Sequence, residues 1–328
     1  MDHQILWLNR KEVESLLDMK GTLKVVEEAF RQHGEKKVQM PPKLYLYFKK
    51  HNGDLRTMPA FLEEQDITGV KIVNVHPDNP KIGLPTVMAL VILNSTLTGA
   101  PVTIMDGTYL TDMRTGAAGG VAVKYLARRN SKTVGFVGTG NQAKSQLLAI
   151  NEVLDIEEVK AISASEKQTL TFRDDMQNKV NCDIVPEKSI KEVCDCDILV
   201  TTTPSREPII MNDWIAEGTH INAIGADAAG KEELDPLILK RARIIVDDIP
   251  QASHSGEVNV PISKKVMTVK DIAGELGEVI IGKKKGRTKD SDITVFDSTG
   301  LAIQDVATAD MVYKKALKAN LGMKLQQF

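Results

Sequence analysis

Cysteine is scarce here: Cys182, Cys194 and Cys196 are the only three in 328 residues, with no C-x-x-C pair and no histidine cluster beside them. That pattern excludes a disulfide scaffold and argues against a cysteine metal or redox site, so the three read as reduced core or edge residues. An excess of charge is lacking too. Lys plus Arg is 42 against 44 for Asp plus Glu, a net charge of -2, which offers no global attraction for nucleic acid or an anionic membrane. Long apolar runs are absent: Leu84–Leu93 is the longest, against roughly 20 residues for a membrane span. Met1–Arg10 shows no basic segment followed by an apolar stretch and a small-residue cleavage site, so a cytoplasmic location is expected. The six histidines form no H-x-x-x-H pattern and no G-x-S-x-G turn occurs, so metal and serine hydrolase chemistry are poorly supported.

With 42% apolar and 26% charged residues, the composition is that of an ordinary globular protein, and the length is a prior for two domains. Asn9-Arg10-Lys11-Glu12 has capping-box spacing, and Val13, Leu16, Leu17, Leu23, Val26 and Phe30 follow at helical intervals, so the chain is expected to open with helix. Lys43–Phe48 and Asp54–Ala60 suit strands joined at a two-residue Asn52-Gly53 turn, and Val70–Val75 and Thr86–Leu93 add two more. No helix long enough for a parallel crossover lies between them, so this third predicts a mainly antiparallel sheet with helices beside it.

After about residue 116 the rhythm changes. Short β-rich runs at Thr133–Val137, Val159–Ile162, Asp183–Val185, Asp197–Thr203, His220–Gly225, Arg243–Asp248 and Asp292–Phe296 alternate with helical patterns such as Gln142–Leu154 and Glu166–Val180. That alternation predicts an α/β doubly wound parallel sheet. Ala302–Leu317 is helical again and is expected to return to the first domain. The expected division is residues 1–115 with 306–328 as an α+β domain and 116–305 as the doubly wound domain.

Thr133–Val137 runs directly into Gly138-Thr139-Gly140-Asn141-Gln142-Ala143, a G-x-G-x-x-A that opens a helix. Gly138 permits the tight turn, Gly140 lets backbone approach a pyrophosphate, and Ala143 lets helix pack close to strand. The helix N-terminus then offers N–H groups and partial positive charge to phosphates, the pattern of a Rossmann dinucleotide site. The carboxylate that normally meets the ribose is missing from Ile162-Ser163-Ala164-Ser165-Glu166-Lys167. Ser163, Ser165 and Lys167 suit a 2'-phosphate while Glu166 can still serve a ribose, or the serines are mere helix caps; NAD and NADP both stay open.

These motifs stand among others. Gln39–Lys43, Leu55–Pro59, Val70–Asn74, His76-Pro77-x-Asn79, Gly83–Val87, Arg114–Gly119, Ile221–Asp227, Gly256–Asn259 and Phe296–Asp305 occur in an order that resembles the ornithine cyclodeaminase, μ-crystallin and archaeal alanine dehydrogenase family over essentially the whole chain. Its archaeal alanine dehydrogenase branch is the most similar. The resemblance implies a homodimer, a Rossmann domain for NAD or NADP, a second domain for substrate and dimer contacts, and reversible oxidative deamination of L-alanine to pyruvate and ammonia. Rival readings are a cyclodeaminase-type lyase, a cyclic ketimine reductase, and a crystallin-like protein that binds NADP without catalysis. No nucleic acid, membrane or metal is implied.

Lys43, Lys71 and Arg114 are cations set in apolar, β-rich or Gly/Ala-rich sequence and so need an anionic partner, which a substrate carboxylate supplies. Arg114 suits a bidentate clamp; its alternative is an internal ion pair with Asp106 or Asp112. Arg56 occupies the place where the resemblance implies an acidic residue in enzymes acting on diamino acids, which argues for a small or acidic substrate side chain. The two-residue turn would put Lys43 and Arg56 on one face but roughly 15 to 20 Å apart.

Asp227 follows the apolar strand Ile221–Ala226 at its carboxyl end, where a general acid or base fits; as an alternative it caps a helix near Glu232–Arg241. Ser298, Thr299 and Gly300 end another strand and are expected near the nicotinamide, with Thr115, Thr202, Thr203 and Ala226 as further cofactor candidates. His76, before Pro77, reads as a structural loop residue.

Overall fold

The structure, a computed structural model, describes residues 4–326. Strand β1 (Gln4–Leu8) comes first, then α1 (Arg10–Leu16), α2 (Met19–Gly34), β2 (Val38–Gln39), β3 (Leu44–Phe48), β4 (Gly53–Leu62), β5 (Ile67–Val75), β6 (Val87–Ser95), β7 (Pro101–Asp106) and α3 (Thr108–Leu126). Seven strands and as many helices alternate less regularly from there: β8 (Thr133–Val137), α4 (Asn141–Val153), β9 (Glu158–Ile162), α5 (Glu166–Met176), β10 (Asp183–Pro186), α6 (Ile190–Cys194), β11 (Ile198–Thr201), β12 (His220–Ala223), α7 (Pro236–Arg241), β13 (Arg243–Val246), α8 (Ile249–Ser255), α9 (Asn259–Ser263), β14 (Ile272–Glu275) and α10 (Leu276–Ile280), followed by an eighth strand, β15 (Thr294–Asp297). Helix α11 (Ala302–Ala319) and β16 (Met323–Gln326) close the chain. Two units result, Met1–Arg114 with Leu301–Phe328, and Thr115–Gly300.

In the first unit the sheet runs β16-β1-β7-β6-β5-β4-β2, with β3 also on β4. All pairings except the parallel β1–β7 are antiparallel. The chain therefore opens with a strand, not a helix: Ile5, Leu6 and Leu8 are buried, and the capped helix begins only after Asn9, whose side chain accepts from Glu12 N as the capping box requires. Alternation sorts the sheet into two faces. Arg56, Met58, Ala60 and Leu62 of β4 and Lys71 and Val73 of β5 point inward, and α11 packs over β4, β5 and β6 with Ile303, Val306 and Val312 buried. The other face carries Leu44, Leu46, Met88 and Leu90, exposed by 68%, 60%, 37% and 40%.

The β3–β4 hairpin differs from the expected one. Lys49–His51 form a 3-10 turn, Asn52 adopts φ 45° as its left-handed cap, and the register pairs Phe48 with Gly53. The connection is thus longer than two residues, and Tyr45 lies opposite Arg56. Lys43 stands just before Leu44, the partner of Thr57, so the wide separation inferred from a two-residue turn does not hold. His76 is a packing residue of this corner: its ring stacks on Phe48, and a Cβ at Gly53 would run into it.

The second unit is an all-parallel sheet of order β10-β9-β8-β11-β12-β15-β13-β14. Its direction of growth reverses between β8 and β11, the switch point at which doubly wound sheets bind ligands. β14 adds a strand beyond those expected, since Ile272-Ala-Gly-Glu275 is too short and mixed to show strand periodicity. Two hydrophobic layers flank the sheet, one with Phe136, Leu147 and Phe172, the other with Leu199, Ile221 and Ile244. The thiols of Cys194 and Cys196 are pushed up by burial, Cys194 to about 12, as inert core groups should be. Among the described residues no helix is long and apolar enough to cross a membrane.

Candidate active site

Strand β8 is buried along Val134–Val137 and delivers the chain to Gly138, whose φ of +93° only glycine adopts without strain. A Cβ there would also meet Thr202 Oγ1 at 2.8 Å. Gly140 is the N-cap of α4 and a Cβ on it would touch nothing within 4 Å, so the approach to the helix N-terminus is open. Ala143 is fully buried behind it. The loop borders a cavity of about 770 Å³ whose walls are Gly138–Gly140, Ser163, Lys167 and Thr202–Ser205. Thr139 Oγ1 is buried without a hydrogen-bond partner beside this opening. The residues present fit a dinucleotide: an open helix N-terminus for the pyrophosphate, an unsatisfied hydroxyl next to it, and a cavity at the switch point.

The remaining cofactor candidates divide. Asn141, Gln142 and Ala143 form the first turn of α4 directly after the lining residue Gly140, and Ser165 is the N-cap of α5, accepting from Gln168 N; none of these four lines the cavity itself. Ser163 Oγ donates to Gln168 Oε1 at 3.1 Å, and Lys167 borders the cavity. Thr299 and Gly300 cluster on Asp247, which accepts from Thr299 N (2.6 Å), Thr299 Oγ1 (3.0 Å) and Gly300 N (2.7 Å), while Ser298 N donates to Ala223 O at 3.1 Å. Thr115, in the Gly/Ala-rich α3, offers its carbonyl to Gln146 Nε2 at 2.9 Å. Asp227 follows Ala226 after β12 and pairs with Lys231 Nζ at 2.6 Å. The N-cap of α7 is Asp235, which accepts from Leu237 N, in place of Asp227.

The first unit holds the cations. Lys71 is 1% exposed and Arg114 5%, and both reach Asp305 Oδ1, Lys71 Nζ at 2.8 Å and Arg114 Nε at 2.9 Å. Arg114 Nη1 donates to Gln304 Oε1 at 2.9 Å. The partner of Arg114 is therefore Asp305, in the first turn of α11, in place of the Asp106 or Asp112 pairing weighed from sequence. Asp305 Oδ2 is buried without a partner, as is Gln304 Nε2.

This cluster is short of negative charge. Burial, then repulsion from Arg114 and Lys43, pulls the Lys71 ammonium down to about 7 despite Asp305. Asp112 is near enough to be stabilised by Arg10 and Arg114, yet burial pushes its carboxyl up to about 6. Two buried cations, Lys71 and Arg114, thus share the single carboxylate oxygen Asp305 Oδ1, a setting that a ligand carboxylate would complement. Arg56 sits on the same face, opposite Val73, but is held by Asp54 through Nε (2.9 Å) and Nη2 (3.0 Å) and lies 5.3 Å from the Tyr45 ring centroid. Asp305 and Asp247 are site groups without a local sequence signal. Asp305 closes the Phe296–Asp305 segment, but nothing local marks it as the partner of a strand residue 234 positions earlier.

A doubly wound unit with a glycine-rich loop at its switch point, in one chain with a buried cation cluster, marks a dinucleotide-dependent oxidoreductase. The chain belongs to the ornithine cyclodeaminase/mu-crystallin family, whose sequence model matches residues 3–320. An alanine dehydrogenase from Archaeoglobus fulgidus is 54% identical over 326 residues, 99% of this chain and 99% of that protein. The solved structure of an archaeal alanine dehydrogenase dimer with bound NAD superposes with a TM-score of 0.96 at 53% identity, over 99% of this chain and 100% of that one. The Thermococcus litoralis Δ1-pyrroline-2-carboxylate reductase, solved with NADH and L-proline, gives 0.95 at 39% identity, over 98% and 100%.

Proposed function

We propose that this enzyme catalyses the reversible NAD-dependent oxidative deamination of L-alanine to pyruvate and ammonia. The observation that carries the reading is the buried Lys71–Asp305–Arg114 cluster, two cations on one carboxylate oxygen, in a chain 54% identical to an alanine dehydrogenase. Arg114 is the bidentate holder of the substrate carboxylate, since its two bonds to Asp305 and Gln304 use only two of five N–H donors. Lys71 supplies the second charge, and Lys43 and Arg56 assist at the carboxylate or carbonyl oxygen. Asp227, tied to Lys231, handles the proton that moves as the imine forms or hydrolyses. When bound, the nicotinamide supplies the two-electron exchange. NAD is favoured by the NAD-bound relative, and Lys167 with Ser163 at the cavity wall leaves room for NADP as well.

A homodimer fits the same reading: the exposed apolar face of Leu44, Leu46, Met88 and Leu90 is the surface a second copy would cover. Cyclic ketimine reduction is the second reading, supported by the reductase solved with L-proline. It needs the same carboxylate clamp and a preformed imine in place of pyruvate and ammonia. The test is the near-ultraviolet absorbance of NADH with pyruvate, with and without ammonium. Loss of signal only with ammonium supports the deamination reading; no loss in either arm sinks it.

A further inference from the structure

Glu233 is fully buried in the second unit, and its partners are N–H and O–H groups in place of a cation. Oε1 accepts from Thr203 N and Thr203 Oγ1, both at 2.7 Å. Oε2 accepts from Thr201 Oγ1 at 2.7 Å and Gly225 N at 3.0 Å. Thr203 belongs to the loop after β11, the wall of the nucleotide cavity that faces Gly138 through Thr202. Gly225 lies in the loop after β12, two residues before Asp227. One carboxylate therefore pins together the ends of two adjacent sheet strands and the two loops that leave them.

The pin is itself anchored. Glu257, also fully buried, accepts from the backbone N of Glu233 (2.9 Å) and of Leu234 (2.7 Å). Gly225 is fitted to the junction: a Cβ there would collide with Thr203 backbone and lie 2.6 Å from Glu233 Oε2. Burying a carboxylate beside a second one costs stability, and neither fold layer requires it, since the strands already pair through their own backbones.

We infer that Glu233 is a positioning residue for the reaction, setting the Thr202–Ser205 wall against the dinucleotide and holding the Asp227 loop in register with it. The inference rests on the dinucleotide reading above. Each Glu233 oxygen receives one backbone N–H, which cannot turn away. Glu233→Gln therefore sets its NH2 against a backbone N–H in either amide orientation, and the two loops separate without loss of volume.

The experiment measures NADH Kd by fluorescence titration, thermal midpoint and steady-state kinetics on the full chain, for wild type, Glu233→Gln and Thr203→Val. Glu233→Gln is expected to raise the NADH Kd about tenfold and lower kcat about tenfold, while KM for the 2-oxo acid, set by the cations of the first unit, stays near wild type. Thr203→Val removes one of the four bonds and keeps the backbone one, so it survives even if the glutamine variant fails to fold. It is expected to raise the NADH Kd about threefold with the thermal midpoint nearly unchanged. A wild-type Kd in Thr203→Val, or a folded Glu233→Gln that differs only in its thermal midpoint, would overturn the inference. A wild-type enzyme that binds no NADH would instead sink the dinucleotide reading, and this inference with it.

Discussion

Substrate carboxylate binding is predicted to take up a proton at neutral pH, because Lys71 is only partly charged in the free enzyme. Its ammonium falls from 10.5 to about 7. A shift of that size corresponds to about 5 kcal/mol of disfavour for the charged form, by the usual 1.36 kcal/mol for each pKa unit. The dominant cause is burial, followed by Arg114, with Asp305 only partly compensating. An incoming carboxylate adds the missing negative charge and favours the ammonium, raising its pKa in the complex. The sign then follows. Below pH about 7 Lys71 is already charged and affinity is flat; above it, affinity for a carboxylate falls by up to about tenfold per pH unit until the raised pKa of the complex is reached. Isothermal titration calorimetry with a non-reacting pyruvate analogue such as oxamate, in buffers of different ionisation enthalpy, reads both quantities. About half a proton should be taken up near pH 7, and Lys71→Arg, charged throughout, should abolish both the uptake and the pH dependence. Oxamate affinity that stays flat from pH about 6.5 to 8.5 with no proton uptake would refute the argument.

Arg114→Lys keeps the charge and loses the planar fork, so KM for pyruvate should rise about tenfold to a hundredfold, the worth of one charge-assisted bond, with NADH Kd unchanged; a wild-type KM would remove Arg114 from the clamp. Burial and the neighbouring Glu233 and Asp297 push the Glu257 carboxyl well above its ordinary 4.5. A carboxyl whose folded pKa is raised loses stability as pH climbs from 4.5 through that value, by about 1.4 kcal/mol for each unit of the rise. Glu257→Gln, whose carbonyl can keep the bonds at Oε1, should therefore melt higher than wild type at pH about 8, with the gap closing towards pH 4.5. A variant less stable at every pH would show that the carboxylate is needed for its backbone bonds.

The parts of this molecule that can be read from sequence are those governed by local rules. β8, the glycine-rich turn and α4 are contiguous, and each glycine answers a local demand: Gly138 its φ of +93°, Gly140 an open approach. Asn9 and Glu12 cap α1 because a capping box needs only four residues. What escaped was long-range or ambiguous. Gln4–Leu8 was hidden by the helix beside it, and Asn52-Gly53 served a 3-10 turn in place of a two-residue hairpin, which moved the register and brought Lys43 along the sheet towards Arg56. The charge balance of Lys71 and Arg114 is set by Asp305, which only the packing of α11 on the sheet brings to them. Glu233 likewise sits in an unremarkable Lys-Glu-Glu-Leu run and gains its meaning from Thr201, Thr203 and Gly225, which the fold brings to it.

A linear 2-oxo acid and ammonia, not a preformed cyclic imine, are the proposed partners of this site. The most direct test is the ratio of kcat/KM for NADH oxidation with pyruvate and saturating ammonium to that with Δ1-pyrroline-2-carboxylate. A ratio well above one is expected, with no pyruvate turnover when ammonium is left out. A ratio well below one, with rapid ammonium-independent reduction of the cyclic imine, would contradict it and assign the enzyme to ketimine reduction.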